Sequence, residues 1–384
     1  MNSSYDVIIA GAGSIGVPAA LALAACKNSV LVIDSLSSPG QENNKKAIGG
    51  IRATHSDFGK IKLCQRSIEI FSTWQECYGD DIGWQSNGYS FPAYSEDDEK
   101  KLRELMKIQH EFGLKIKWLS AEEYSELVPG VFRKGLRGST YSWEDGSASP
   151  LLAINAFYFR SVALGARYHF RERIIGLTSN SDRITGVITN KGSYNCRFFV
   201  NAAGNFAREI GNMAGLTLPV NPDNHEAGIT EPVLRFFEPM IVDMRKETGS
   251  ANFYFYQNKE GQVVFCITPD PPITGIDNRA TAGFLPLCSR RMISIYPRLR
   301  NLKVRRTWRG QYPMTADGFP IVGPSSKIAN FINAVGMCGQ GFMLGPGIGE
   351  LIARLVYEDL KPEDQQILTG FSADRDFRGM EQFK

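Results

Sequence analysis

The residues best able to do chemistry lie in a few short segments rich in glycine or bearing a charge. Gly11, Gly13 and Gly16 form G-x-G-x-x-G directly after the apolar run at 5–10. In this spacing the first glycine permits a tight turn. The second lets the backbone approach a pyrophosphate, and the third lets a helix pack closely on its strand. A helix opening there offers unpaired N–H groups and a partial positive charge to an anion. Asp34 lies 18 residues beyond Gly16 at the end of a second apolar run, where a carboxylate can accept hydrogen bonds from ribose hydroxyls. The motif alone is weak, but between a strand and a helix, with an acid at this distance, it points strongly to a dinucleotide. Two further glycine turns follow apolar runs: Ala203-Gly204, and the stretch 336–349 with Gly339 and Gly341. A nicotinamide dinucleotide needs only the first turn. An elongated flavin dinucleotide needs contacts over a greater length, so three turns favour a flavin. Arg52, after Gly49-Gly50, brings a planar fork of donors suited to a carboxylate. His225 and Tyr254 lie in strand-like sequence and are candidates for polar groups facing a redox ring or its substrate. Tyr254 and Tyr256 alternate with Phe253 and Phe255, so one pair is expected to face a cavity.

The elements that must position these residues follow from periodicity and end signals. Residues 5–10, 17–26 and 29–34 read as strand, alanine-rich helix and strand, one βαβ unit. Ile61, Cys64, Ile68, Phe71 and Trp74 recur at helical spacing and predict a helix over 57–77. Asn87-Gly88 between apolar runs predicts a hairpin turn. Ser95 with Asp98 opens a charged helix over 96–112, and Ser120 with Glu123 opens a short one ending at Pro129. A helix follows Pro150, then strands at 167–177, 182–190 and 193–204 and a helix at 205–215. The chain is strand-rich over 225–270, with a turn at Lys259-Glu260-Gly261. A strand at 331–336, a glycine turn at 337–347 and a helix at 348–360 close the chain. Nucleotide-type elements thus stand at both ends and in the middle. The fold class expected is α/β: a Rossmann-like dinucleotide-binding domain (1–85, 146–218 and 306–384) interleaved with a sheet-rich α+β substrate domain (86–145 and 219–305).

Composition excludes several classes. The chain has 384 residues, 43% hydrophobic and 22% charged, in the range of soluble globular proteins. A net charge of +3 gives no field for nucleic acid. The seven cysteines are odd in number and never spaced C-x-x-C, and the four histidines form no ligand pattern. Reduced thiols in a cytoplasmic protein without a metal site are therefore expected. The uncharged stretches 7–26 and 328–349 are long enough to span a bilayer. Both carry glycines and a proline, and the first lacks a basic leading region, so strand–turn–helix is the expectation rather than membrane insertion.

Five pieces in order resemble the D-amino-acid-oxidase-type flavoprotein family that includes glycine and sarcosine oxidases: DVIIAGAGSIG with VIDS, GGIRATH at 49–55, WEDGSASP at 143–150, VNAAG at 200–204, and WRGQYPMTADGFPIVGPSS leading into GMCGQGFMLGPGIGELIA. HEAGITEPV at 225–233 adds a likeness to the β-subunit branch of L-proline dehydrogenase and heterotetrameric sarcosine oxidase. The resemblance implies FAD accepting a hydride at N5 from the carbon of a CH–NH bond in an amino or imino acid, with Arg52 at the substrate; His225 and Tyr254 are the further catalytic candidates read from the residues themselves. It implies FAD contacts along Gly11, Ala12, Gly13, Ser14, Ile15, Gly16, Asp34, Ser35, Gly49, Gly50, Ile51, Ile174, Ile175, Ala203, Gly204, Gly339, Gln340, Gly341, Phe342 and Met343. Gly310 stands where monomeric sarcosine oxidases carry the cysteine that bonds FAD, so non-covalent FAD is implied. Met343 replaces a lysine that often holds the substrate carboxylate, and Gln340 replaces a frequent histidine. Asp145 and Asp317 belong to structural turns. The branch also implies partner subunits, with a homo-oligomer as another arrangement. A nicotinamide dehydrogenase and an RNA modifier are the competing readings of the fold.

Overall fold

The computed structural model describes residues 4–379 and 381. One sheet runs Ile321–Pro324, Phe331–Val335, Ser193–Asn201, Ser4–Ala10, Val30–Asp34, Arg167–Phe170, with Ile174–Asn180 and Arg183–Thr189 joined off this path. Its four middle neighbours, from Phe331–Val335 to Val30–Asp34, pair in parallel, and Val7, Ile8 and Ile9 have no exposed surface. Burial on both faces explains why these strands read as unbroken apolar runs rather than alternating ones. Because the strands are parallel, their carboxyl ends emerge at one edge. Gly11, Asp34, Ala202 and Gly336 follow or end these strands there, the edge at which open α/β sheets bind ligands.

The second sheet runs Val304–Met314, Asn221–Pro232, Gln262–Asp270, Gly249–Gln257, Met240–Asp243, Tyr89–Ala93, Gly138–Ser142, Ile116–Ser120. Its side chains alternate as a pleat requires. Phe253, Phe255, Phe265 and Ile267 pack into one apolar cluster with Phe284, Cys288, Met292 and Ile295 of the helix Phe284–Ile295. The intervening residues Tyr254, Cys266, Ala227 and Trp308 lie side by side across four strands on the other face.

Several expectations need correcting. The glycine stretch near the C-terminus is not a turn up to residue 347: a helix already runs Gly341–Tyr357. Its glycines serve close packing. A Cβ on Gly345 would sit 1.9 Å from the Ser14 carbonyl oxygen, one on Gly349 2.7 Å from the Pro18 carbonyl carbon, and one on Gly347 2.4 Å from the Leu63 carbonyl oxygen. The helix is thus wedged at backbone contact between Gly16–Ala25 and Phe58–Tyr78. Asn87-Gly88 makes no hairpin, because the chain on its two sides pairs elsewhere: Gln85 bridges to Ser147, while Tyr89–Ala93 pairs with Met240–Asp243 and Gly138–Ser142. The boundary at 306 falls inside Val304–Met314, which pairs along Asn221–Pro232 in the second sheet. That strand and the helix Phe284–Ile295 are additions to the elements read from sequence. No helix among the described residues is long and apolar enough to cross a membrane.

Gly345→Ala is expected to cost about 1–3 kcal/mol, because the obstructing atom is backbone and cannot swing aside. Gly370→Ala, where nothing lies within 4 Å of the added Cβ, is expected to be neutral or slightly stabilising. Urea unfolding midpoints of the two variants check this pair.

Candidate active site

A cavity of about 710 Å³ lies between the carboxyl edge of the first sheet and the inner face of the second. Gly11, Gly13, Ser14, Ile15, Asp34, Ser35, Gly49, Gly50, Ile174, Ala203, Gly204, Gly339, Gln340, Gly341, Phe342 and Met343 all line it, together with Arg52, His225 and Tyr254. The three glycine turns, far apart in sequence, therefore face one cavity. Ala12, Gly16, Ile51 and Ile175 do not line it. Ala12 is buried in the core, its N–H bonded to Asp34 Oδ2 at 2.7 Å and its carbonyl to Gly40 N–H at 2.8 Å. Gly16 is spent on packing, since a Cβ there would lie 1.9 Å from the Gly11 carbonyl oxygen. Ile51 is fully buried in a two-residue ladder with Gly146. Ile175 is 50% exposed, on the opposite side of its strand from Ile174.

The residues present suit an elongated anionic dinucleotide. The helices Gly16–Ala25 and Gly341–Tyr357 both begin at this cavity, and neither has a side-chain cap or an acidic residue in its first turn. Val17 N–H closes back on the Gly13 carbonyl at 3.1 Å and Pro18 has no N–H, so the first helix offers an anion the N–H groups of the turn ahead of it, and the second helix those of its own first turn. Gly13 is telling. Nothing lies within 4 Å of a Cβ built there, and its φ is one that any residue adopts. The protein itself gives no reason for glycine at that position, whereas a group laid against the loop does. Asp34 accepts the N–H groups of Ala12 and Leu36 at 2.7 and 2.8 Å. It fixes the loop while retaining lone pairs for further donors.

Arg52 is 8% exposed. Its Nη1 donates to the Thr54 carbonyl and lies 3.3 Å from Nδ1 of the fully buried His55, and the guanidinium packs over the Phe91 ring. Burial, followed by the charges of Arg52 and Lys60, pushes His55 well below its ordinary value and keeps it neutral. Lys60 is itself buried, 2.8 Å from the Gly318 carbonyl and 3.3 Å from the Glu381 carboxylate. Asp145 ties this wall together as a structural residue: its Oδ1 accepts Ala53 N–H at 2.9 Å and its carbonyl accepts Gly88 N–H. Full burial pushes its carboxyl up to about 7. Asp317 is likewise structural, in an ion pair with Arg375.

The opposite wall is aromatic. His225 stacks on Tyr312 with ring centroids 3.7 Å apart and planes at 18°, and Tyr312 shares a 2.7 Å hydroxyl contact with Tyr254. Burial raises both phenols well above their ordinary value, so they serve as neutral hydrogen-bonding groups. Of the alternating pairs Tyr254/Tyr256 and Phe253/Phe255, one of which is expected to face a cavity, only Tyr254 lines it, while the Tyr256 hydroxyl donates to the Ile48 carbonyl at 2.6 Å. Trp308, Gly310 and Tyr312 also line the cavity, and only Gly310 was singled out from sequence. Their two-residue spacing within a strand is the signal that would have found the other two. Cys266 shares that spacing with Thr268, whereas Lys46, another lining residue, carries no such signal.

A profile of the FAD dependent oxidoreductase family matches residues 6–355. Among solved structures, L-proline dehydrogenase from P. horikoshii superposes with a TM-score of 0.91 at 28% identity, covering 99% of this chain and 100% of that one. Glycine oxidase from Geobacillus kaustophilus is 25% identical over 93% of this chain and 94% of its own. Hydrogen cyanide synthase subunit HcnC from Pseudomonas aeruginosa is 23% identical over 95% of each chain.

Gly13→Ala is expected to leave the stability of the FAD-free protein within about 0.5 kcal/mol of wild type. Its FAD affinity should fall by about tenfold or more, equivalent to about 1.4 kcal/mol, read by fluorescence titration. Asp145→Asn tests the buried carboxyl. An acid with its folded value raised from about 3.9 to about 7 favours folding at low pH and loses that contribution as pH rises through 7. Asparagine keeps the acceptor for Ala53 and has no proton to lose. Wild type should therefore lose stability relative to Asp145→Asn between pH 5 and 8 in thermal melts; parallel curves would contradict the assignment.

Proposed function

The chain belongs to the FAD-dependent oxidoreductase family, and we propose that it oxidises the CH–NH bond of an amino or imino acid. The observation that carries this reading is the meeting, in one cavity, of three glycine turns with Arg52 and the Tyr254–Tyr312 pair. The names of the relatives, L-proline dehydrogenase and glycine oxidase, support the same substrate class.

The glycine turns and the two uncapped helix N-termini would hold FAD, which when bound would supply hydride acceptance at N5. The rest falls to the chain. The Arg52 fork takes the substrate carboxylate, since Met343 lines the cavity without bringing a charge. A cation there also favours the neutral amine, whose lone pair must assist departure of hydride from the adjacent carbon. Of Tyr254 and Tyr312, protonated throughout the physiological range, one spends its hydrogen on the other across their 2.7 Å contact, and the second donates to the substrate and helps to hold it in place. No residue is required as a general base. Gly310 lines the cavity and offers no nucleophile, which supports dissociable FAD.

A second reading has a specific support: two relatives, HcnC and a sarcosine oxidase subunit beta, are named as subunits. In it the flavin chain turns over only within an assembly. Particle size and turnover of the isolated chain distinguish the two readings.

Anaerobic addition of glycine, sarcosine, L-proline and D-proline in turn to the FAD-loaded protein is expected to bleach the visible flavin absorbance with at least one of them. Bleaching by none, with a wider set of N-methyl and cyclic imino acids also silent, would remove the proposal. Bleaching without steady turnover in air or with artificial acceptors would favour the assembly reading.

A further inference from the structure

Behind Arg52 lies a row of buried polar side chains that the proposed reaction does not use directly. His55 sits three residues after Arg52 and has no exposed surface. Its Nδ1 is 3.3 Å from Arg52 Nη1, and its Nε2 is 3.6 Å from Cys64 Sγ on the helix Phe58–Tyr78. Its backbone is held as well: His55 N–H donates to the Ala53 carbonyl, and its own carbonyl accepts from Gln109 Nε2 at 3.1 Å.

The chemistry of the two neighbours decides which ring nitrogen carries the proton. A guanidinium has only donors, so a nitrogen facing it at hydrogen-bond distance must offer a lone pair. The other nitrogen then carries the hydrogen and points it at sulfur. Cys64 is itself fully buried, and burial pushes its thiol far above the ordinary value, so it stays neutral and serves as a weak acceptor. Lys60, also buried on this helix, adds positive charge that keeps a second proton off the imidazole. The Thr54 carbonyl and His55 Nδ1 thus give Arg52 Nη1 two acceptors on the protein side. A planar guanidinium gripped by these two acceptors has its plane set before a ligand arrives.

We propose that His55 is a positioning residue: as a neutral imidazole protonated on Nε2, it accepts from Arg52 and sets the plane in which the guanidinium meets a carboxylate in the cavity. The proposal rests on the reading of Arg52 as the carboxylate partner.

The test uses the FAD-loaded protein and two probes of equal shape that have no CH–NH bond to oxidise, tetrahydro-2-furoate and tetrahydrofuran-2-carboxamide. Binding is read from the change in flavin absorbance. In His55→Leu the carboxylate should bind about tenfold more weakly, with the carboxamide little changed. His55→Asn, whose side-chain oxygen can stand near the place of Nδ1, should recover most of that loss. Carboxylate affinity unchanged in His55→Leu, or equal loss for both probes, would overturn the proposal. Arg52→Met separates the underlying reading: if it leaves carboxylate affinity intact, Arg52 is not the partner, whatever His55 does. A second measurement needs no substitution. In holoprotein labelled with ¹⁵N-histidine, which has only four imidazoles, the resonance that vanishes in His55→Asn should show an unprotonated Nδ1 and a protonated Nε2 from pH 6 to 8. A charged ring, or a proton on Nδ1, would sink the proposal even if His55→Leu failed to fold.

Discussion

Two helices in this protein touch through their backbones. Gly345 and Gly349 leave no space between the helix Gly341–Tyr357 and the helix Gly16–Ala25, and Gly347 closes the same helix onto Phe58–Tyr78. Glycine inside a helix costs up to about 1 kcal/mol relative to alanine, so three of them need a return. That return is position: both uncapped N-termini come to the same cavity, with the Ser14 hydroxyl 3.1 Å from where a Gly341 Cβ would stand. Neither terminus alone would serve a molecule as long as a flavin dinucleotide.

The first sheet sets the scale of this arrangement. Parallel pairing sends the ends of Ser4–Ala10, Val30–Asp34, Ser193–Asn201 and Phe331–Val335 to one edge, so segments separated by more than three hundred residues become neighbours. The second sheet closes the cavity by the pleat alone. One set of alternating residues packs as core with the helix Phe284–Ile295, and the other set supplies Tyr254, Cys266 and Trp308 to the ligand space. The same two-residue period therefore holds the sheet in place and builds a wall of the site.

Charge is distributed unevenly between the two walls. The wall carrying Arg52 backs onto His55, Lys60, Asp145 and Glu381, all buried, where each group must be satisfied by a neighbour. The wall carrying Tyr254, Tyr312 and His225 is built from stacked rings and neutral hydroxyls.

The glycine fingerprint, Asp34, the first βαβ unit and the capped helices at 96 and 121 were legible from sequence because each is local. A turn that needs glycine, a Ser side chain that caps its own helix (Ser95, Ser120) or an apolar run is decided within a few residues. The helix over 341–347 was not legible, because its glycines resemble a turn until the neighbouring helix that excludes their side chains is in place. Asn87-Gly88 failed for the same reason, since strand partners chosen from far along the chain outweighed a local turn preference. Tyr312 gained its place only when His225 was brought beside it, and His55 only when Cys64 closed its other side. The sequence by itself determined the kind of ligand, since phosphate-binding turns depend on local backbone freedom. Only the tertiary structure decided which side chains meet that ligand, because a cavity wall is assembled from contacts between residues that local preference does not link.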